Sequence, residues 1–199
     1  EGMDEVMPFL RNVLRGKNVP ESRLLEVSHH YELFGGISPI NAQNRQLVAA
    51  LKRELAEKGP PLPIYWGNRN WHPFLADTLR KMTDDGIKHA LAFVTSAYGS
   101  YSSCRQYRED IHRAQQAVGK GAPKIDKIRA FYNHPGFVEP NIENVRRALE
   151  QIQPERRAAV EIAFTAHSIP IAMAENSKYV SQLNETSQLV ASGAPHDHW

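Results

Sequence analysis

The sequence is short of most features that give a function away at once. Its 199 residues include one cysteine, Cys104. That excludes an internal disulfide framework or a cysteine-ligated iron–sulfur cluster built within this chain, and it suits a reducing compartment. No stretch approaches the roughly 18 apolar residues that a bilayer-spanning helix needs, and the opening residues lack the apolar core of a secretory leader. A cytoplasmic location without a transmembrane segment is therefore expected. Net charge is nearly absent, since 24 Lys and Arg oppose 22 Asp and Glu, which leaves no electrostatic case for nucleic-acid binding. Neither a GxGxxG nor a Walker A pattern occurs, so no nucleotide cofactor is expected. There is no internal repeat and no low-complexity tract.

What is present is an alternation of periods. Asp4–Arg15 places Val6, Phe9, Leu10, Val13 and Leu14 at helical spacing and stops at Gly16. Glu21–Phe34 repeats the pattern and ends at Gly35-Gly36, and a third helix is expected from Asn41 to Lys58, closed by Gly59-Pro60-Pro61. From there short apolar runs take turns with helical stretches. Strands are predicted at Leu62–Trp66, Ala90–Thr95, Ile125–Tyr132 and Ala158–Thr165, and helices at Pro73–Asp85, Ser102–Val118, Phe137–Gln153 and Lys178–Ala191. Nearly continuous apolar strands separated by helices mark a parallel sheet covered on both faces. The fold class is therefore α/β, doubly wound. Ligands in such sheets sit beyond the carboxyl ends of the strands, which nominates four loops: Gly67–His72, Ser96–Tyr101, Asn133–Gly136 and Ala166–Pro170.

The last of these is the sharpest. Phe164-Thr165-Ala166-His167-Ser168-Ile169-Pro170 sets a histidine directly after an apolar run, with Pro170 turning the chain. A neutral imidazole there offers a lone pair to a divalent metal or to a proton near neutral pH. By itself such a histidine more often caps a helix or carbonyl. The other histidines are weaker candidates. His29 and His30 diverge on a helix, His112 reads as a surface residue, and His72 and His134 precede prolines in loops. His196-x-His198 reads as an adventitious chelator. Tyr65, Trp66, Trp71, Tyr98, Tyr101 and Tyr107 lie on or near the nominated loops, where they could wall a flat apolar ligand, and Arg15, Lys17 and Arg69 could meet its carboxylates. Tyr65 and Trp66 equally suit a sheet core, and Arg15 and Lys17 equally suit a helix C-terminus.

Three ordered segments narrow these choices. FTAHSIP resembles the histidine-bearing strand and loop of the ferrochelatase family, Glu32–Asn41 (ELFGGISPIN) resembles its GG-x-SP segment, and Ile64–Phe74 (IYWGNRNWHPF) resembles its second-strand loop. The likeness covers essentially all 199 residues in order, and the GG-SPIN and GNRNW wording most resembles the bacterial branch that includes coproporphyrin ferrochelatases. The resemblance implies two Rossmann-like, three-layer halves with parallel sheets, residues 1–97 and 98–199, with the porphyrin between them. It also implies that both halves are incomplete in this fragment. The first strand and its Gly-rich loop would precede it, an acidic partner of the histidine would follow it, and the fragment alone would be inactive and poorly soluble.

By the same resemblance, His167 is the metal ligand and proton acceptor, and Ser38 and Tyr107 contact the porphyrin. His30-Tyr31 stands where relatives carry Arg-Tyr near a propionate, with Arg15 another candidate for a propionate. The implied activity is Fe²⁺ insertion into protoporphyrin IX or coproporphyrin III in haem biosynthesis, a lyase-class reaction with porphyrin and ferrous iron as partners. No cofactor beyond the substrate iron is implied, and peripheral membrane contact stays open. A cobalt or nickel chelatase of similar architecture and a non-catalytic tetrapyrrole or metal carrier are the competing readings.

Overall fold

A computed structural model describes residues 2–194 of the chain; the His196-x-His198 pair lies outside the described residues. The chain divides into two compact units, Glu1–Lys88 with Arg113–Pro123, and His89–His112 with Lys124–Trp199.

The first unit opens with a helical hairpin, α1 (Met3–Val13) against α2 (Glu21–Glu32). Val6, Leu10 and Leu24 form its core, with Met7, Phe9, Leu14, Val19, Val27 and Tyr31 packed around them. These are the positions a 3.6-residue period puts on facing stripes. Gly16, at φ 78°, lets the chain reverse between the two helices. The 19-residue helix α3 (Ile40–Lys58) buries no residue. Helix α4 (Leu75–Asp84) buries Thr78 and Leu79.

The second unit holds a two-stranded parallel sheet, β1 (His89–Ala92) beside β2 (Lys124–Lys127), in the register His89↔Lys124 to Ala92↔Lys127. The crossover between the strands contains a π-helical turn, Tyr101–Arg105, and α5 (Gln106–Val118). A reciprocal cap sets that turn: Ser103 N donates to Ser100 Oγ at 3.3 Å, and Ser100 N donates to Ser103 Oγ at 2.7 Å. Helix α6 (Pro135–Glu150) starts on a proline, as a first turn permits, and His134 Nδ1 accepts the Gly136 amide at 3.0 Å. Two short helices follow, α7 (Pro154–Arg157) and α8 (Ile171–Glu175), and then α9 (Tyr179–Gly193) packs on α6. Gly193 faces Ile142 so closely that a Cβ there would collide with the isoleucine side chain.

The α/β class with a parallel sheet stands, but the sheet is smaller than the apolar runs predict. β1 and β2 are each four residues long, stopping short of Thr95 and Tyr132. The expected strands at Leu62–Trp66 and Ala158–Thr165 are corrected: neither forms a strand. An apolar run becomes a strand only when a neighbouring backbone lies in register beside it. Leu62 stays 56% and Phe164 41% exposed, so neither run has the two-sided cover a parallel strand requires. The expected helix starts shift slightly. α3 begins at Ile40, and α4 begins at Leu75 because the residues before it form the turn described next.

Candidate functional site

In the first unit, the Gly67–His72 loop is a tight turn organised around Asn68. Its amide donates to the Pro73 carbonyl at 2.8 Å, its carbonyl accepts from Leu75 N at 3.0 Å, and its side-chain amide donates to the His72 carbonyl at 2.9 Å. Trp66 Nε1 donates to Asn68 Oδ1 at 2.9 Å, and Thr78 Oγ1 on α4 donates to the Trp66 carbonyl at 3.0 Å. Gly67 is required by this approach, since a Cβ there would lie 2.9 Å from Thr78 Oγ1 and 3.3 Å from Leu75 Cα. Trp71 Nε1 donates to Glu5 Oε2 at 3.2 Å, and its ring meets Phe9 edge-on at 6.3 Å. Trp66, Trp71, His72 and Asp77, with Glu5 and Arg45, line a cleft of about 440 Å³. Tyr65 and Trp66 therefore do not sit in a sheet core: the Tyr65 hydroxyl reaches Asp85 Oδ2 at 2.7 Å and Trp66 serves the turn.

The candidate residues of the first unit sit in plain local settings. Arg15 is exposed and donates to Asn12 Oδ1 at 2.5 Å across the end of α1. His30 is exposed on α2. Tyr31 is half-buried against the α1–α2 core, its ring 6.4 Å from that of Phe9. Ser38 Oγ accepts the Ile40 amide at 3.4 Å where α3 begins. The segment between α2 and α3 is markedly apolar yet open, with Leu33, Phe34, Ile37 and Ile40 each more than half exposed.

In the second unit, because β1 and β2 are parallel, the segments after Ala92 and after Lys127 leave the same edge of the sheet. A run of aromatic rings joins them. Phe93 stacks on Phe131 at 5.1 Å, Phe131 meets Phe137 of α6 edge-on at 5.3 Å, and Tyr98 meets both Phe137 and Tyr179 edge-on at 6.3 and 6.0 Å. Helix α9 holds these loops through one stripe of side chains spaced three or four residues apart. Tyr179 Oη donates to the His167 carbonyl at 2.9 Å. Gln182 Oε1 accepts the Gly99 amide at 2.6 Å. Glu185 Oε1 accepts from Asn133 Nδ2 at 2.8 Å, and Thr186 Oγ1 donates to the Tyr132 carbonyl at 2.8 Å. Three nominated loops, Ser96–Tyr101, Asn133–Gly136 and Ala166–Pro170, are thus fixed by one helix.

His167 lies on the third of these loops, exposed, and its backbone is held by Tyr179. Tyr107, half-buried, lies in the first turn of α5. Among the described residues no three His, Cys, Asp or Glu side chains gather into a ready-made metal site. No helix there is long and apolar enough to cross a membrane. The role of α9 is not apparent in the sequence as a motif. The available signal is weak: Tyr179, Gln182, Glu185 and Thr186 keep polar groups at helical spacing along one face.

These features define an α/β protein in which one helix fixes both the loops that leave the parallel strands and the loop that carries an exposed histidine. Its sequence matches the ferrochelatase family model over residues 1–199. Among curated relatives, a ferrochelatase of Rhodopirellula baltica is 55% identical over 199 residues, covering 100% of this chain and 56% of that protein. The coproporphyrin III ferrochelatase of Streptomyces coelicolor is 47% identical, covering 100% of this chain and 62% of the relative. That of Nocardia farcinica is 52% identical over 86% of this chain and 49% of the relative. The chain belongs to the ferrochelatase family, and it spans roughly half to three-fifths of the length of the relatives it matches.

Proposed function

We propose that the full-length protein inserts Fe²⁺ into a porphyrin, with His167 as the residue that takes iron and accepts a proton. The reaction replaces two pyrrole N–H bonds with Fe–N bonds and releases both protons. It needs a base that works near neutral pH and a donor that holds iron loosely enough to pass it on. An imidazole meets both demands. The observation that carries the reading is the placement of His167: exposed, on a loop that α9 ties down, within a segment that reads FTAHSIP. Exposure leaves its ring open to substrate and gives the proton a route to water.

The branch wording at Gly35–Asn41 and Gly67–Trp71, together with the names of the Streptomyces and Nocardia relatives, supports coproporphyrin III as the porphyrin. This substrate carries more propionates than protoporphyrin IX. Arg15, His30 and Tyr31 are the first-unit groups we assign to those carboxylates, and Ser38 and Tyr107 to the macrocycle. The reaction belongs to the lyase class, and a cytoplasmic setting fits the single cysteine.

The test is anaerobic Fe²⁺ insertion by the full-length protein and its His167→Ala variant, with coproporphyrin III and protoporphyrin IX compared side by side. The variant is expected to lose at least about 100-fold in turnover, the size of a positioned acid–base group, while porphyrin fluorescence quenching shows binding retained. Unchanged turnover overturns the assignment, and preference for Co²⁺ or Ni²⁺ over Fe²⁺ moves the protein to another metal.

A further inference from the structure

We infer that Tyr179 is a positioning residue for His167, acting through its hydroxyl on the histidine's own backbone; the inference rests on the reading of His167 given above. The His167 loop lies outside any strand, so no sheet ladder fixes its backbone. Tyr179 Oη donates to the His167 carbonyl at 2.9 Å and closes a loop of 12 residues that contains α8. Two further contacts fix the donor. Tyr179 occupies the first turn of α9, and its ring meets Tyr98 edge-on at 6.0 Å.

Tyr98 is held in its turn. Its carbonyl accepts from Ser103 Oγ at 2.5 Å, and the neighbouring Gly99 amide donates to Gln182 Oε1, one turn along α9 from Tyr179. A Cβ at Gly99 would lie 3.2 Å from Gln182 Oε1, so the loop approaches the helix about as closely as a glycine allows. The result is a rigid path from the capped Tyr98–Ser103 turn, through the Tyr98 ring and α9, to the peptide that carries the histidine. A hydrogen bond to a backbone carbonyl restricts where the Cα and Cβ of that residue point. It does so without touching the imidazole, which stays free for metal and proton. Catalysis by a single ring is sensitive to such restriction, because small misplacement of a reacting group costs rate steeply.

The experiment uses the full-length protein with Tyr179→Phe, His167→Ala and the double variant. Phenylalanine keeps the edge-to-face contact with Tyr98 and removes the hydroxyl alone. Turnover is expected to fall on the order of tenfold with KM for porphyrin unchanged, the effect of one hydrogen bond of ordinary net strength expressed in the rate. Co²⁺, added as a spectroscopic probe, should bind Tyr179→Phe with a changed ligand-field spectrum. In the His167→Ala background, adding Tyr179→Phe should change neither turnover nor Co²⁺ binding further, because a residue that acts through another has no effect once the other is gone. An additive loss in the double variant overturns the inference. So does a Phe variant that melts far below the parent, since the tyrosine would then serve stability alone. If His167→Ala itself retains turnover, the functional reading fails first, and that outcome is distinguishable from failure of the Tyr179 link.

Discussion

The turn from Gly67 to Phe74 and the loops that leave the parallel strands of the second unit are fixed by opposite means. In the first, Asn68 and Thr78 do nearly everything, through hydrogen bonds spanning 2, 4 and 12 residues. In the second unit, the loops are tied by one helix that reaches back 52, 54 and 83 residues along the chain. A locally bonded turn takes its shape as soon as its own stretch condenses. A loop held from a distance has its shape only when the whole unit is folded, and it is lost by any change that moves the distant helix. The loop of the candidate metal ligand is tied to the same helix at a shorter reach, 12 residues from His167 to Tyr179.

The contrast can be broken most forcefully from below the first turn. Leu79 is 1% exposed and lies on α4 directly after Thr78, against which Gly67 packs. Leu79→Ala should destabilise the protein by about 2–5 kcal/mol, the cost of a leucine-sized deletion at a closed site, measured as a shift in denaturant midpoint. The Asn68 amide, bonded to Pro73, should nevertheless keep its protection from hydrogen exchange until the unit opens. Early loss of that protection would show that the turn depends on the core beneath it more than on its own bonds.

A matched pair of substitutions sharpens the comparison at smaller scale. Thr78 and Thr186 are both buried helical threonines, 8% and 7% exposed. Each shares its hydroxyl proton between its own helix and a loop carbonyl: Phe74 and Trp66 for Thr78, Gln182 and Tyr132 for Thr186. Replacing either with valine keeps the shape and removes the donor, at about 1 kcal/mol each. The consequences for dynamics should differ. Thr78→Val should speed exchange within residues 66–78, close to the substitution. Thr186→Val should speed exchange at His134, whose amide donates to Phe131 in a loop 52 residues away. Equal, purely local responses would erase the distinction.

The same distinction explains what the sequence makes legible. The ends of α1 and α2 are marked by Gly16 and Gly35-Gly36, because tolerance of a positive φ is a property of the residue itself, whereas α6 begins at Pro135, two residues before the expected start at Phe137. The runs at Leu62–Trp66 and Ala158–Thr165 have strand composition without strand structure, because a strand also needs a registered neighbour that its own composition does not name. His167 stands out through its resemblance to a family segment, whereas the clamp on it does not. Tyr179, Gln182 and Thr186 look like ordinary polar residues on a helix until the loops they reach are in place.

The smallest expected effects are electrostatic, and they again separate a local pair from a distant one. On the sheet, Asp126 of β2 accepts from His89 Nε2 of β1 at 2.6 Å, and Lys124 Nζ lies 3.1 Å away. These contacts, the His89 hydrogen bond foremost, hold the Asp126 carboxyl below the ordinary aspartate value. Its contribution to stability is therefore complete above about pH 3.9, the unfolded value, and is lost as pH falls through the lower folded one. Asp85 is lowered too, first by the Tyr65 hydroxyl and then by Lys81 one helical turn away. Its partner adds a second edge. The Tyr65 phenol is raised by that same hydrogen bond, so its contribution is present below about pH 10 and fades as pH rises through the folded value. All these groups are exposed enough that salt should weaken both effects. Asp126→Asn should thus flatten the acid limb of the stability profile and leave the alkaline limb alone, whereas Asp85→Asn should alter both. An alkaline effect from Asp126→Asn would mean that the ion pair with Lys124 contributes measurably beside the His89 hydrogen bond.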